Sequence, residues 1–167
     1  MTIHDFLEEA IKLNEDELEK YLADRIKVNY VSYTDKCGIC DRILNASCYV
    51  EIDGRKTFKI NSSARFMLFM VALIQEYTDI EFSDNIVADF EMLDRAGMID
   101  AIVSFIPDGE YTTMENLLNM GLSDKMENER SIVTLLENSR DAIGLALATI
   151  GDLMEELSNG SVEREIR

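Results

Sequence analysis

The cysteines and the single histidine are the side chains whose types could support metal or nucleophilic chemistry. Cys37 and Cys40 form a CxxC pair, Cys48 follows after a seven-residue gap, and His4 lies near the start of the chain. A zinc site needs four such ligands, and a reactive thiol needs a base or a cation beside it. We expect small buried thiols on a helix and a surface histidine, with zinc and thioredoxin-like redox sites as the alternatives.

The carboxylates between Asp79 and Asp100 form a dense acidic block, and only Arg95 opposes them. Paired carboxylates can transfer protons or bind Ca²⁺ or Mg²⁺, but the EF-hand spacing is absent. Aligned on one face, they could also imitate the phosphates of DNA. The simplest interpretation is a solvated acidic face. As candidate partner-binding residues we predict Asp79, Glu81, Asp84, Asp89, Glu91 and Asp94.

No dinucleotide-binding glycine motif, P-loop or nucleophile elbow occurs in the sequence. The sequence therefore predicts a protein that is not an enzyme and that needs no cofactor or metal.

The composition of the chain limits the kinds of partner that it is expected to bind. The chain has 167 residues, is 47% hydrophobic and carries a formal net charge of −17. Such a surface does not suit nucleic-acid binding, which needs basic side chains, or anionic membranes. The odd number of cysteines predicts reduced thiols, and the first ten residues lack the features of a signal peptide. We therefore expect a cytoplasmic protein with protein partners.

One apolar run is the predicted centre of the fold. From Phe66 to Ile74 every residue is apolar, which is too short for a membrane span and is rich in helix formers. Asn61, Ser62 and Ser63 precede it as N-cap candidates. A helix that is apolar all round is normally covered on several faces. We predict a mainly α bundle in which amphipathic helices surround this central helix.

The remaining elements are predicted from caps, stripes and turn residues. Thr2 and Asn14 are expected to begin two helices, and Gly97 to end another. Asp53-Gly54-Arg55-Lys56 separates two alternating runs, 48–52 and 57–60, as in a β-hairpin. Arg55 and Lys56 on its turn are candidate contacts for an acidic partner, although lysines also protect edge strands. The other predicted segments are a helix from Thr34 or Asp35 to Ala46, a helix over 84–96 begun by Ser83, a short helix over 98–106, and a turn at 107–109.

Residues 110–158 lack proline and form a predicted long helical segment beside a core domain of residues 1–109 that includes the hairpin. Leu136, Ile143, Ile150 and Leu157 recur every seven residues, as in a coiled coil. One continuous helix, projecting or self-associating, and two helices packed within the chain both fit, with Gly121 or Asn138 as the break. Leu118, Ile132, Ala146 and Leu153 sit near a second seam position, and residues 159–167 are predicted to form a flexible tail.

Five stretches carry a likeness to a known group: Glu76–Ser83, Asp89-Phe90, Leu93, Gly97–Ile99 and Asn128–Ile132. In these the chain resembles small acidic helical proteins from the structural and assembly gene clusters of tailed bacteriophages. The resemblance implies a virion or assembly protein in the cytoplasm of the host cell, or in the virion itself, that acts by protein–protein contacts, including self-association through the C-terminal helix. The alternative is an acidic, DNA-mimic-like inhibitor of a nucleic-acid-binding host defence protein.

Overall fold

A computed structural model describes residues 1–131, 135–137 and 139–150 of the chain. The fold is mainly α with one β-hairpin, as the sequence predicted. Two compact units are described separately, Met1–Ser123 and the part that begins at Asp124. The elements are α1 (Ile3–Ala10), α2 (Glu15–Arg25), α3 (Tyr33–Ser47), β1 (Tyr49–Ile52), β2 (Arg55–Phe58), α4 (Ser62–Tyr77), α5 (Ile86–Arg95), α6 (Met98–Val103) and α7 (Asp108–Glu129). Residues 135–137 and 139–150 are also helical.

The two predicted N-terminal helices are confirmed, and each begins at the expected cap. The Thr2 hydroxyl accepts a hydrogen bond from the Asp5 backbone N–H at 3.2 Å. The Asn14 side chain accepts from the Glu17 N–H at 3.0 Å, and the Glu17 carboxylate accepts from the Asn14 N–H at 3.2 Å. This reciprocal pair is a capping box, which satisfies two donors that a helix start otherwise leaves unpaired.

The central helix is confirmed as α4, which packs against α3, α5 and α6. Its Asn61 cap accepts a hydrogen bond from the Ala64 N–H at 3.0 Å. The expectation that every residue from Phe66 to Ile74 is buried is wrong, because Phe66 is 53% exposed. Phe66 continues the stripe of Phe69 and Leu73, since residues spaced by three and seven share a helix face. It lies one turn before the buried part of that stripe, so the neighbouring helices do not cover it.

The predicted hairpin is confirmed, with a tighter turn than expected. Asp53 and Gly54 have φ values of 52° and 74°, and two residues with positive φ form the type I′ turn that matches strand twist. β2 therefore begins at Arg55, opposite Ile52, and not at Thr57. Arg55 and Lys56 lie in the strand, which corrects their predicted place on the turn.

Three predicted boundaries shift by a few residues. The caps of α3 and α5 are Ser32 and Asn85, and not Thr34 or Ser83. Gly97, with φ of 67°, has the left-handed conformation expected after α5. The predicted turn at Pro107 is wrong, because α7 begins at Asp108. The Pro107 carbonyl accepts from the Glu110 N–H at 2.8 Å, and proline suits a helix start because it has no N–H to leave unpaired.

Most of α7 belongs to the first unit, which extends to Ser123 and so past residue 109. Met114 and Leu118 on α7 are buried in its core, so Leu118 is not part of an exposed seam. The predicted break at Gly121 is wrong. A Cβ at Gly121 would lie 2.7 Å from Cδ1 of Leu44, so glycine allows α7 to pass close to α3.

The second unit contains the break between the C-terminal helices. α7 ends at Glu129, and helical hydrogen bonding resumes where the Leu135 N–H donates to the Ser131 carbonyl at 3.1 Å. A single helix over 110–157 is therefore wrong. The predicted break at Asn138, the seam positions Ile132, Leu153 and Leu157, and the predicted tail over 159–167 lie outside the described residues.

Candidate functional site

The first acidic residue of the predicted partner-binding set lies in an extended segment held from both sides. The Asp79 carbonyl accepts from the Met1 amino group at 2.7 Å, and the Asp79 N–H donates to the Arg25 carbonyl at 3.3 Å. The Asp79 carboxylate lies 3.4 Å from the Arg25 guanidinium and 3.8 Å from the Lys27 ammonium. Its charge is therefore opposed within the fold, and Asp79 ties the end of α2 to the segment after α4.

The remaining acidic residues divide into carboxylates that bind a neighbouring group and carboxylates that do not. Asp89 accepts a hydrogen bond from the Ser83 N–H at 2.6 Å, and Glu91 pairs with Arg95 at 3.4 Å on the surface of α5. The second group consists of exposed side chains with no cation within ion-pair distance among the described residues, namely Glu81, Asp84, Asp94 and Asp100. Sequence proximity therefore did not predict which carboxylates are available to a partner.

Lys56, one of the basic residues of the hairpin, interacts with residues of the hairpin itself. Lys56 stands opposite Glu51 in the β ladder, and its ammonium lies 4.4 Å from the centroid of the Tyr49 ring. Tyr49 in turn contacts Phe58 edge-on, with ring centroids 5.5 Å apart. The Lys56 charge is therefore partly balanced by its neighbours, as expected for a lysine on an exposed strand edge.

The CxxC pair lies on α3, with Cys40 buried and Cys37 partly buried. The Cys40 thiol contacts the Met114 carbonyl at 3.5 Å, and burial raises its pKa to about 11. A thiol with a raised pKa stays protonated at neutral pH and is a poor nucleophile and metal ligand. Within residues 1–131, 135–137 and 139–150, no group of three His, Cys, Asp or Glu side chains could hold a metal ion.

A buried polar cluster, which the sequence did not reveal, joins α3, α4 and α7. The Lys36 ammonium donates to Glu110 Oε1 at 2.7 Å. The Tyr77 hydroxyl and the Val31 N–H donate to Glu110 Oε2 at 2.7 and 2.9 Å. Lys36 is 3% exposed, Glu110 9% and Tyr77 0%. We call these residues, Lys36, Tyr77 and Glu110, the buried cluster.

The electrostatics of the buried cluster favour the ion pair. Burial alone raises the pKa of Glu110, but the hydrogen bonds from Lys36, Val31 and Tyr77 outweigh burial and lower that pKa below its usual value. Burial, then the hydrogen bond to Glu110, raises the pKa of Tyr77, so its hydroxyl remains a donor. Both carboxylate oxygens of Glu110 accept hydrogen bonds from buried donors. The cluster therefore holds α3, α4 and α7 together through a buried hydrogen-bond network.

The helical residues of the second unit expose a row of large apolar side chains. Leu136, Ile143, Leu147 and Ile150 are 63%, 60%, 64% and 53% exposed. At 100° per residue, Ile143, Leu147 and Ile150 fall within a sector of about 60° of the helix surface. Together with Leu136, which lies seven positions before Ile143 in the sequence, we call them the C-terminal apolar stripe. Leu145, 73% exposed, lies on the opposite side. The heptad positions Ile143 and Ile150 thus share one uncovered face.

The comparisons with known proteins do not assign this chain to a family. No protein-family model, curated protein or solved structure matches it. Within the described residues, none of the helices has the length and apolar character that crossing a membrane requires. The function must therefore be inferred from the surfaces of the chain itself.

Proposed function

We propose that this chain is a non-enzymatic protein of the virion or assembly type found in tailed bacteriophages, acting by protein–protein contacts. The observation that carries the proposal is the C-terminal apolar stripe, whose four side chains are each more than half exposed. Large apolar side chains that line one face of a helix are unfavourable in water and are typical of an interaction surface. The resemblance described above supplies the phage setting.

The partner we propose for the stripe is a second copy of the chain. Leu136, Ile143 and Ile150 recur with the seven-residue period that lets helices of the same sequence pack against each other. Between Asp141 and Asp152 the sequence contains no charged residue, so this part of the helix has no charge pattern to select a partner of opposite sign. Self-association would remove the stripe from water on both chains at once.

Replacing Ile143 with Asp is expected to abolish self-association, because a carboxylate would be buried without a partner at the centre of the stripe. Size-exclusion chromatography with light scattering should give a multiple of the 19.0 kDa chain mass for the native protein and the mass of one chain for Ile143→Asp. Leu145→Asp is the matched control, since it adds the same charge on the opposite side. A native protein that stays monomeric, or two variants that behave alike, would contradict the proposal.

A second candidate function is an acidic, DNA-mimic-like inhibitor, supported by the uncompensated exposed carboxylates Glu81, Asp84, Asp94 and Asp100. Such an inhibitor would capture basic nucleic-acid-binding proteins from a bacterial lysate, and duplex DNA would compete for them. Its contacts would weaken as salt rises, because they are charge–charge contacts.

Reversing the charge of Asp84 and Asp94 to Lys together is expected to abolish this capture. Glu19→Lys with Asp41→Lys makes the same change in net charge away from the block and should leave capture unchanged. The measurement is the amount of DNA-displaceable protein retained by each immobilised variant. Equal retention by both double variants would rule out a role for the acidic block.

A further inference from the structure

The hydrogen bonding of the hairpin determines which backbone groups of β2 face outward. Ile52 stands opposite Arg55 across the two-residue turn. Residues that flank a turn of this kind exchange both of their backbone hydrogen bonds, and bonded and non-bonded pairs then alternate along the two strands. The Lys59 N–H donates to the Cys48 carbonyl at 2.9 Å, which agrees with this alternation. The odd-numbered residues of β2 are therefore bonded to β1, and the even-numbered ones face away from it.

Lys56 and Phe58 are the residues of β2 whose N–H and C=O groups face away from β1. In the described part of the chain, neither of them makes a backbone hydrogen bond to another element. This edge is reached by solvent, since Lys56 and Thr57 are exposed. A row of unpaired backbone groups at the edge of a sheet is a template with which another extended segment can pair.

We propose that the outer edge of β2 binds an extended acidic segment of a partner protein, which joins the hairpin as a third strand. The segment exchanges backbone hydrogen bonds with Lys56 and Phe58, and its carboxylates lie beside the ammonium groups of Lys56 and Lys59. In this mode of recognition the backbone hydrogen bonds supply affinity, and the side chains supply selectivity.

The charges of β2 and the residue after it argue for an acidic segment. From Arg55 to Lys59 the sequence contains three cationic residues and no anionic one, in a chain whose net charge is −17. Lys56 and Lys59 are exposed, and neither forms an ion pair within 4.0 Å among the described residues. An acidic segment is therefore attracted to this edge, whereas the net charge of the chain repels it elsewhere.

The same charges argue against a second copy of the hairpin at this edge. Two β2 edges that paired with each other would bring the lysines of both chains together, and like charges on neighbouring strands are unfavourable. Lysine on an edge strand thus opposes pairing between copies, while the edge stays open to a strand of opposite charge. This surface lies in the first unit and does not depend on the C-terminal apolar stripe.

The test uses acetyl-Thr-Glu-Val-Glu-Val-Glu-Thr-amide, a counterpart with Gln in place of Glu, and a counterpart with Pro in place of Val. Each peptide is titrated into the isotopically labelled full-length protein and followed by NMR. We expect the Glu-Val peptide to bind in the millimolar range, as is usual for a short ligand, with its largest amide shifts at Lys56 and Phe58. The Gln peptide should bind roughly threefold to tenfold more weakly, because exposed ion pairs each contribute little. The Pro peptide keeps the charge but cannot donate to a strand ladder, so it should not bind.

Amide hydrogen exchange distinguishes strand addition from attraction by charge alone. In the free protein the Lys56 N–H should exchange faster than the Thr57 N–H, which is bonded within the ladder. When the Glu-Val peptide is present at about ten times its Kd, exchange at Lys56 should slow roughly tenfold. A Lys56 N–H that is already protected in the free protein, or that the bound peptide leaves unprotected, would overturn the proposal.

Variants identify the charges that select the peptide. Lys56→Gln with Lys59→Gln should bind the Glu-Val and Gln peptides equally. The matched control is Lys12→Gln with Lys20→Gln, which makes the same change in net charge away from the hairpin and should keep the native preference. Equal binding of the Glu-Val and Gln peptides to the native protein would refute the charge selection. Binding of the Pro peptide at the level of the Glu-Val peptide, or no binding of any peptide, would refute strand addition.

Discussion

Replacing Glu110 with Gln is expected to lower the free energy of unfolding by about 3–5 kcal/mol, the usual cost of breaking a buried ion pair from one side. The Lys36 ammonium would remain 3% exposed and would lose the carboxylate that lies 2.7 Å away. An amide cannot replace the charge, and its NH₂ group would face either the Lys36 ammonium or the donors of Tyr77 and Val31 as another donor. Urea unfolding followed by circular dichroism measures the change.

The control for this prediction is the double variant Lys36→Met with Glu110→Gln. It removes both charges, so no isolated ion is left in the core, and most of the lost stability should return. A double variant less stable than Glu110→Gln alone would show that the ion pair itself, and not the stranded charge, supplies the stability. A loss below about 1 kcal/mol for the single variant, typical of exposed pairs, would show that water reaches the cluster.

The same variant should alter the dependence of stability on pH. The pKa of Glu110 is lowered in the folded protein, so its contribution is fully present above the unfolded value of about 4.5 and is lost as pH falls through the folded value. Below about pH 4.5 the native protein should lose more stability than Glu110→Gln. The difference between the two unfolding free energies should therefore shrink as the pH falls below about 4.5.

Local signals account for the parts of the fold that the sequence predicted well. The caps at Thr2 and Asn14 and the turn at Asp53-Gly54 depend only on residues a few positions apart, and the same holds for Gly97. The central apolar run also predicts its own helix. Which residues of this helix are covered, however, depends on how far the neighbouring helices extend. For that reason the exposure of Phe66 could not be predicted.

The contacts that could not be predicted from the sequence join distant parts of the chain. Lys36 and Glu110 are separated by 74 positions, and each belongs to a residue type that is usually exposed, so no local pattern marks them as a buried pair. Asp79 appears in the sequence as one of several equivalent carboxylates, yet its cationic neighbour Arg25 lies 54 positions away. Gly121 looks like a weak point of a helix until the approach of Leu44 explains it.

The architecture depends on the buried part of α4. Shortening a buried side chain there is therefore expected to be the second change with a large effect on the free energy of unfolding. Leu73→Ala should lower the free energy of unfolding by about 2–5 kcal/mol, because Leu73 is 0% exposed and its loss leaves a cavity that dense packing cannot readily close. Phe66→Ala removes a larger side chain from the same stripe of α4. Phe66 is 53% exposed, so that change should cost less than about 1 kcal/mol. Thermal and urea unfolding of the two variants under identical conditions provide the comparison. Similar losses for both would mean that Phe66 is covered in solution.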